Sequence, residues 1–263
     1  MFSSKSIKIS YFFLSIVFVS ILFYACKMVV PQASKETSIL ENVKSQKTPR
    51  VLLFTKTKGW YHTSIPSGIA ALQKLGKENN FLVDTTKNAD YFTEDSLKNY
   101  STVIFLSTTL NVLNADQQVQ FERYIQAGGG YVGIHAAADT EYDWPWYNRL
   151  VGAYFLSHPN NSNVRKATVE VLDSTHISTI GLPKRWERTD EWYNYKNIQG
   201  DLKVLANLDE ETYEGGENGD NHPIAWYHEF DGGRAFYTGG GHTDESFSEP
   251  LFLKHVLGGI KYA

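Results

Sequence analysis

Three of the eight histidines in this 263-residue chain come shortly after predicted strands: His62, His135 and His242. Imidazole changes its charge near neutral pH, so these residues could act as acids, bases or metal ligands. In open α/β sheets, ligands bind at the carboxyl ends of the strands. The three histidines are therefore expected to share one edge of the sheet, and the sequence predicts a catalytic or binding site there.

Carboxylate groups lie near these histidines in the sequence or between them. Asp139 comes shortly after the second histidine, and the pair Asp190-Glu191 precedes the aromatic residues Trp192 and Tyr193. Aromatic neighbours remove a carboxyl group partly from water, which raises its pKa toward the range useful for acid–base catalysis. A pair of solvated loop acids would explain the same pattern, and both interpretations stay open.

A divalent metal is an open alternative for this group of residues. Three histidines and a carboxylate make a plausible donor set. The candidate ligands are His135, His158, His242 and Glu191. No HxH or HExxH motif presents two ligands from one local element. The sequence therefore indicates no definite cofactor and leaves a divalent metal open.

The chain offers no evident nucleophile for acyl transfer. Its one cysteine, Cys26, lies in a predicted export segment, and no GxSxG motif is present. The segment Gly133–Ala137 has the small-residue frame of a strand-to-helix elbow, where the central residue is held on a strained turn. That residue is His135, a base or metal ligand rather than an acyl acceptor, so a Ser-His-Asp hydrolase is disfavoured.

The apolar pattern predicts the elements that position these residues. From residue 50 onward, short apolar strands alternate with amphipathic helices as in βαβ units, and further strands follow in the second half. The predicted strands are Val51–Phe54, Phe81–Val83, Val103–Leu106, Tyr131–Ile134, Val164–Leu172, Lys203–Asn207, Ile224–Phe230 and Arg234–Thr238. The predicted fold class is α/β, one domain with a mainly parallel, doubly wound sheet and a closing helix over Glu249–Tyr262.

Two glycine clusters are similar in sequence to nucleotide-binding motifs. Gly128–Gly133 matches GxGxxG, but it follows a predicted helix and precedes a strand, the reverse of a dinucleotide-binding turn. Gly239–Gly241 follows a strand but lacks the Lys-Ser/Thr of a phosphate loop. We expect this second cluster to let the backbone approach a ligand closely.

Residues 1–26 have the features of a bacterial export signal. Two lysines precede the apolar run Tyr11–Ala25, which is too short for a spanning helix. The run ends at Cys26 in a sequence that resembles a lipobox; an uncleaved anchor is the alternative. We expect acylation of Cys26, a flexible linker over residues 27–49 and a folded domain over residues 50–263. The domain would then be lipid-anchored to the cell envelope, in the periplasm or at the cell surface.

Composition excludes several classes of function. A net charge of −4 without a basic block argues against nucleic-acid binding. A single cysteine excludes an internal disulfide framework and zinc sites built from several thiolates. The membrane contact that we expect is the N-terminal lipid alone.

Several ordered motifs together resemble the ThuA-like (trehalose utilisation) family over residues 50–263. They are Trp60–Ser64, Gly133–Asp139, Gly152–Pro159, Asp190–Tyr193, Pro223–Tyr227, Gly233–Tyr237 and Gly240–Thr243. The resemblance implies a class I glutamine amidotransferase-like fold, a flavodoxin-like three-layer α/β sandwich. Amidotransferases carry a cysteine at the elbow; here His135 stands in its place, so amidotransfer is not expected.

The resemblance also implies a role in sugar metabolism, on disaccharides such as trehalose that have been oxidised to 3-keto forms. Chemistry on such a sugar needs proton abstraction beside the carbonyl and stabilisation of an enediolate. We therefore expect an isomerase- or lyase-type enzyme that acts on a small-molecule sugar. The individual roles of the residues are our inference.

The hypothesis assigns each candidate residue a role. The catalytic candidates are His135, His158, Glu191 and His242. The substrate-binding candidates are Trp60, His62, Asp139, Asp190, Trp192 and Tyr193. Glu191 or His135 would be the base, while His242 and His158 would polarise the carbonyl or bind a metal. We expect the histidines of the site and Glu191 to lie within about 10 Å of one another.

Two other functions stay open at this point. A non-catalytic carbohydrate-binding module would keep the aromatic residues and tolerate loss of the histidines. A hydrolase of glycosidic or keto-glycosidic bonds would use Asp190 or Glu191 with a second carboxylate about 5–10 Å away. The sequence does not place that second carboxylate.

Overall fold

The computed structural model describes residues 48–263. Its strands are β1 Arg50–Phe54, β2 Leu82–Thr86, β3 Thr102–Leu106, β4 Gly130–Ile134, β5 Tyr154–Ser157, β6 Val164–Val171, β7 Arg185–Glu191, β8 Asn194–Lys196, β9 Lys203–Asp209, β10 Pro223–Phe230 and β11 Gly233–Thr238. Its α-helices are α1 Ile65–Glu78, α2 Glu94–Leu97, α3 Ala115–Gln126, α4 Pro145–Val151 and α5 Pro250–Tyr262.

The predicted export signal, Cys26 and nearly all of the predicted linker lie outside the described residues. None of the helices described here has the length and apolar character needed to cross a bilayer.

Nine strands form one mixed sheet, in the order β2-β1-β3-β4-β11-β10-β9-β6-β7. The first five are parallel to one another, and the last four continue the sheet in antiparallel pairs. β5 and β8 form a separate antiparallel pair. The fold is therefore α/β with a parallel half, as predicted, and the carboxyl ends of β1, β4 and β11 meet at one edge.

The parallel half is built from apolar runs that are buried on both faces. All five residues of β3 and of β4 are buried, as a strand covered by helices on both sides requires. Leu72 and Leu75 of α1 pack into this core. The helix carries a proline in its first turn, where the backbone N–H that proline lacks would have no partner within the helix. The buried residues of α1, β3 and β4 are therefore those that the apolar pattern of the sequence predicts.

The turn between α3 and β4 explains the first glycine cluster. Asn114 and Gln117 form a capping box at the start of α3, and the helix ends at Gln126. Gly128 then takes a positive φ of 94°, which favours glycine. The glycines connect a helix to a strand, and the sequence order that argued against a dinucleotide site is confirmed.

The sequence did not predict β7, which forms the far edge of the sheet. Trp186, Arg188 and Asp190 are buried on one face of this strand, while the residues between them are exposed. Two of the three inward side chains are charged, so the alternation is not one of apolar and polar residues. Arg188 Nε donates a hydrogen bond of 2.8 Å to Glu249 Oε2 next to α5. The last residues of β7 therefore lie next to the loop that follows β11, although three strands separate β7 from β11 in the sheet.

Burial of His255 on α5 gives the fold a dependence on pH. The side chain is buried, its Nδ1 donates to the carbonyl oxygen of Ser178 over 3.0 Å, and burial lowers its pKa to about 4. Unfolded, the same group takes up a proton near pH 6.5. The stability that it contributes is therefore complete above pH 6.5 and is lost as the pH falls toward 4.

We expect acidification from pH 7 to pH 5 to cost about 2 kcal/mol of folding stability through His255 alone. Asparagine can keep the donor to Ser178 without titrating, so His255→Asn is expected to have a flatter stability–pH curve. Urea unfolding of both proteins at several pH values measures the difference in slope. Parallel curves would contradict the assignment.

Candidate active site

Four side chains from separate parts of the chain meet at the carboxyl edge of the parallel strands. His62 lies in the loop after β1, His135 directly follows β4, His242 follows β11, and Glu191 is the last residue of β7. One nitrogen or oxygen atom from each lies within 4.8 Å of those from the other three. The structure therefore brings together three predicted histidines and one predicted carboxylate.

Three atoms form a tight triangle at the centre of this cluster. His242 Nδ1 lies 2.9 Å from Glu191 Oε2, and His135 Nε2 lies 3.1 Å from the same oxygen. The two nitrogen atoms are 3.2 Å apart. The ring of His62 stands edge-on to both imidazoles, with ring centroids 4.8 Å from His135 and 5.1 Å from His242.

His135 occupies a strained elbow between β4 and a short 3-10 helix. Its φ of +52° lies in the left-handed region, which costs a residue other than glycine about 1–2 kcal/mol. Tyr237 offsets that strain by donating a 2.8 Å hydrogen bond to the His135 carbonyl oxygen. The imidazole packs on the Tyr193 ring, with centroids 4.4 Å apart. Strain held in place by surrounding contacts is typical of functional sites.

Hydrogen bonding fixes the tautomer of His135. Its Nδ1 lies 2.8 Å from the carbonyl oxygen of Gly239, which can only accept, so Nδ1 carries a hydrogen. In the neutral ring, Nε2 then has only a lone pair, yet it faces a carboxylate oxygen of Glu191. Two acceptors at this distance repel each other unless a cation lies between them. The centre of the triangle must therefore hold positive charge, as a proton or as a metal ion.

The pKa values of the cluster reflect this arrangement. Burial alone would raise the pKa of Glu191, but hydrogen bonds from His135 and His242 outweigh it and lower the pKa. Burial acts to lower the pKa of His242, and its contact with Glu191 reverses that effect and raises it. The pKa of His62 falls to about 2, because the ring is buried and lies beside two other imidazoles. His62 is thus neutral, and its buried Nδ1 has no hydrogen-bond partner within the described part of the chain.

Asp190 supports the site from behind. Its buried carboxylate accepts hydrogen bonds from the backbone N–H groups of Gly241 (2.8 Å) and His242 (3.0 Å), and from Ser246 Oγ (2.8 Å). Arg188 Nη2 lies 3.3 Å from the same carboxylate. Asp190 was a candidate for substrate contact; the structure places it where it holds the loop that carries His242.

The second glycine cluster makes this support possible. A Cβ at Gly240 would lie 2.5 Å from Arg188 Nη1, and one at Gly239 would lie 2.3 Å from the Tyr195 hydroxyl. The glycines let the backbone approach protein side chains, where the sequence had suggested a ligand. Ser64 Oγ also donates to the Gly241 carbonyl oxygen over 3.1 Å, which joins this loop to the one that carries His62.

We expect Asp190→Asn to destabilise the protein by about 3 kcal/mol, because the amide replaces one of the two carboxylates that pair with buried Arg188 and cannot accept all the hydrogen bonds that Asp190 receives. Urea unfolding measures this loss. Ser246→Ala removes only one hydrogen bond to the same carboxylate and should cost about 1 kcal/mol. Equal stability of Asp190→Asn and the parent protein would contradict the supporting role.

A cavity of about 370 Å³ opens above the cluster. It is lined by Trp60, His62, Asp139, Phe155, His158, Asn163, Glu191, Tyr193 and His242. Trp60 is 71% exposed, whereas Trp192 is fully buried, and its Nε1 donates to the Arg165 carbonyl oxygen away from the cavity. Seven of the ten candidate residues from the sequence therefore line one cavity, and His135, Asp190 and Trp192 do not.

Asp139 and His158 line the cavity outside the four-residue cluster. Asp139 Oδ1 accepts a 2.6 Å hydrogen bond from the Tyr142 hydroxyl, and its other oxygen has no partner among residues 48–263. Burial raises the pKa of Asp139. His158 Nε2 lies 3.6 Å from Glu191 Oε1, the carboxylate oxygen that points away from the triangle. His158 was a candidate metal ligand, but it lies outside the group whose donor atoms converge.

Sequence reasoning missed two residues that touch the site. Asn163 Nδ2 donates to Glu191 Oε1, and Phe155 forms part of the cavity wall. Phe155 lies within the motif Gly152–Pro159, so the motif contained a signal for it. Asn163 lies in an irregular polar loop that carries no such signal.

The comparisons with known proteins bear on this geometry. The model of the ThuA family, described as trehalose utilisation, matches residues 50–263. The chain belongs to the ThuA family. Family membership associates it with sugar metabolism. A comparison with curated proteins gave no match.

Solved structures that resemble this ThuA domain include two ThuA-like proteins. The one from Bacteroides uniformis is 26% identical, with a TM-score of 0.69, and the match covers 82% of this chain and 92% of that one. The one from Parabacteroides merdae is 19% identical, with a TM-score of 0.62 and coverage of 81% and 89%. A β-galactosidase from Bacillus circulans shares the fold over 31% of its own length, at 11% identity and a TM-score of 0.56.

The ThuA-like neighbours have a class I glutamine amidotransferase-like fold, and the predicted fold class is confirmed. The resemblance to amidotransferases implies that His135 stands at the elbow where those enzymes carry a cysteine. At this place the ThuA domain of this chain presents an imidazole whose Nε2 faces a carboxylate and a second imidazole.

Proposed function

We propose that the ThuA domain is an enzyme that moves a proton at the carbon beside the ketone of an oxidised sugar. The observation that carries the proposal is the convergence of His135 Nε2, His242 Nδ1 and Glu191 Oε2 within 3.2 Å of one another, at the floor of a cavity with aromatic walls. From this convergence we infer a cation between the three side chains. A fixed positive charge stabilises the negative oxygen that develops when such a proton is removed.

The cavity suits a sugar in size and lining. Its volume of about 370 Å³ falls within the roughly 300–1,000 Å³ typical of small-molecule sites. Tyr193 and Phe155 form part of its wall, and Trp60 stands exposed at its side. Aromatic faces pack on the apolar C–H patches of a pyranose ring.

Asp139 is the base in this proposal, in preference to Glu191 or His135. The Glu191 carboxylate is engaged by two imidazoles that lower its pKa, which weakens it as a base. His135 Nε2 is directed into the triangle and does not face the cavity. Asp139 faces the cavity with one oxygen free among the described residues, and burial raises its pKa. A raised pKa makes a carboxylate a stronger base.

The reaction would proceed through an enediolate. The C–H bond beside the ketone breaks, its proton passes to Asp139, and its electron pair moves onto the ketone oxygen, which faces the positive charge. In an isomerase, Asp139 returns the proton to the former ketone carbon, the neighbouring hydroxyl passes its own proton to the former ketone oxygen, and the ketone thereby moves by one carbon. In a lyase, the electron pair expels the oxygen substituent on the next carbon, and the leaving oxygen takes a proton from His158.

Hydrogen exchange tests the proposal most directly. Purified protein is incubated with 3-keto-trehalose in D₂O, beside a sample without protein, and the sugar is analysed by NMR and mass spectrometry. We expect deuterium beside the ketone, or release of glucose with formation of an unsaturated keto-sugar, faster than in the blank. Binding without either change would overturn the proposal in favour of a carbohydrate-binding module. Release of glucose and intact 3-keto-glucose without deuterium would overturn it in favour of a hydrolase.

We also propose that the domain acts outside the cytoplasm, attached through a lipid on Cys26. The support is the short apolar run followed by cysteine at the start of the chain. Labelled palmitate is expected to enter the parent protein in bacterial cells and to be absent from Cys26→Ser. Equal labelling of both proteins, or of neither, would contradict the anchor.

A further inference from the structure

We propose that the positive charge at the centre of the site is a divalent transition-metal ion bound by His62, His135, Glu191 and His242. The inference deepens the proposed function, because it names the group that would polarise the ketone. Binding of the ion, however, is measurable without any sugar.

The dimensions of the triangle are those of a metal-binding face. Ligand atoms about 2.1 Å from an ion lie about 3.0 Å apart when they are adjacent in an octahedron and about 3.4 Å apart in a tetrahedron. The edges between His135 Nε2, His242 Nδ1 and Glu191 Oε2 measure 2.9, 3.1 and 3.2 Å. One ion can therefore contact all three atoms at normal bond lengths without moving the backbone.

A metal ion satisfies these atoms better than protons do. One proton placed between two of them leaves the third facing an acceptor. Two protons, one on each nitrogen, would make His135 an imidazolium and would leave two N–H groups, with nitrogen atoms 3.2 Å apart, directed at a single carboxylate oxygen. A divalent ion accepts all three lone pairs at once, and its net charge with one carboxylate is +1.

His62 provides a fourth donor and an independent observation. It is 3% exposed, stands edge-on to the other two imidazoles, and its Nδ1 has no hydrogen-bond partner in the described part of the chain. A buried polar atom without a partner is rare in folded proteins. The packing of a third imidazole against this cluster is explained if the ring contributes a ligand.

The surroundings of the cluster resemble the outer shell of a metal centre. Metal-binding histidines usually donate their second N–H to a carbonyl oxygen, as His135 Nδ1 does to Gly239. Glu191 Oε1, the carboxylate oxygen outside the triangle, accepts a hydrogen bond from Asn163 Nδ2. The cavity is lined by three of the four ligands, so two neighbouring oxygens of a sugar could complete the coordination from that side.

The donor set selects the class of ion. Imidazole nitrogen suits zinc, iron, cobalt, nickel and copper, whereas magnesium and calcium prefer sites made of oxygen. We therefore expect one transition-metal ion per chain and no binding of calcium at comparable concentration.

The test uses the purified full-length protein after removal of metals with a chelator. Titration with Co²⁺ is followed by its visible absorption, and titration with Zn²⁺ by calorimetry. We expect one ion per chain, with the absorption of a site containing nitrogen ligands. His242→Ala and Glu191→Gln should weaken binding by more than the roughly 10–100-fold cost of losing an outer hydrogen-bond partner.

His158→Ala is the matched control, because this histidine lines the same cavity but lies outside the converging donors. It should keep one ion per chain. Circular dichroism checks that each variant is folded. If His242→Ala does not fold, Glu191→Gln, which keeps the shape of the side chain, tests the site alone. Absence of Co²⁺ and Zn²⁺ binding, or binding unaffected by both ligand variants, would overturn the inference.

The same samples separate this inference from the proposed function. One bound ion without deuterium exchange into the keto-sugar would support the metal site and overturn the enzymatic proposal. Full exchange by the metal-free protein would support the enzyme and overturn the role of the ion as the polarising group.

Discussion

Glu191→Gln is expected to reduce the rate of proton exchange on a 3-keto-sugar by roughly 10²–10³-fold. The substitution keeps the size of the side chain but removes the negative charge that faces His135 and His242 at 3.1 and 2.9 Å. Without that charge, the site loses its hold on the cation that would stabilise the enediolate. The rate of deuterium uptake measures the effect directly.

Glu187→Gln is the matched control for this experiment. Glu187 lies on the same strand, β7, but its side chain is 66% exposed and pairs with Lys166 at the surface. We expect exchange rates within about twofold of the parent protein, because exposed ion pairs contribute little. Loss of activity in both variants would point to damage of β7, and full activity of Glu191→Gln would contradict the assigned role.

Asp139→Asn is expected to lower kcat by about 10²–10⁴-fold, the usual contribution of a general base. The amide cannot accept the proton, while the cluster and the cavity remain in place. In the parent protein, burial raises the pKa of Asp139. Because the base acts only when ionised, activity should fall as the pH decreases through this raised pKa, which lies above the ordinary value of about 3.9.

Tyr142→Phe distinguishes the base from a residue that merely shapes the cavity. The Tyr142 hydroxyl donates to Asp139 and lowers the pKa of that carboxyl. Its removal should raise the pKa further and move the acid limb of the pH–rate profile to higher pH, with little change at the plateau. An unmoved profile would contradict the assignment of Asp139.

The sequence was sufficient to predict the parallel half of the fold and the location of the site. β1, β3 and β4 are continuous apolar runs, and such runs are typical of strands buried on both faces. Because the ends of parallel strands share one edge, the order of the residues alone places His62, His135 and His242 together. Family membership and fold class are likewise confirmed.

What the sequence could not predict depends on the path of the antiparallel half. β7 places charged side chains, Arg188 and Asp190, on its buried face, and its pattern therefore lacks the apolar alternation of a strand. β7 is four strands away from β11 in the sheet, and the meeting of its end with the loop after β11 is a long-range contact that no local pattern encodes. For this reason Asp190 read as a candidate for substrate contact, although its carboxylate is occupied by the backbone of the His242 loop.

The link between Ser64 and Gly241 spans 177 residues and has a consequence for the order of folding. Contacts of such long range form late, because the chain must close a large loop before they stabilise anything. His62 is present early in synthesis, but its partner loop is among the last segments made. A chain that stops before β11 would contain eight of the nine strands of the main sheet but would lack the central strand β11 and the loop that carries His242. Acquisition of the site should therefore be an all-or-none event at the end of folding, with no active fragment along the way.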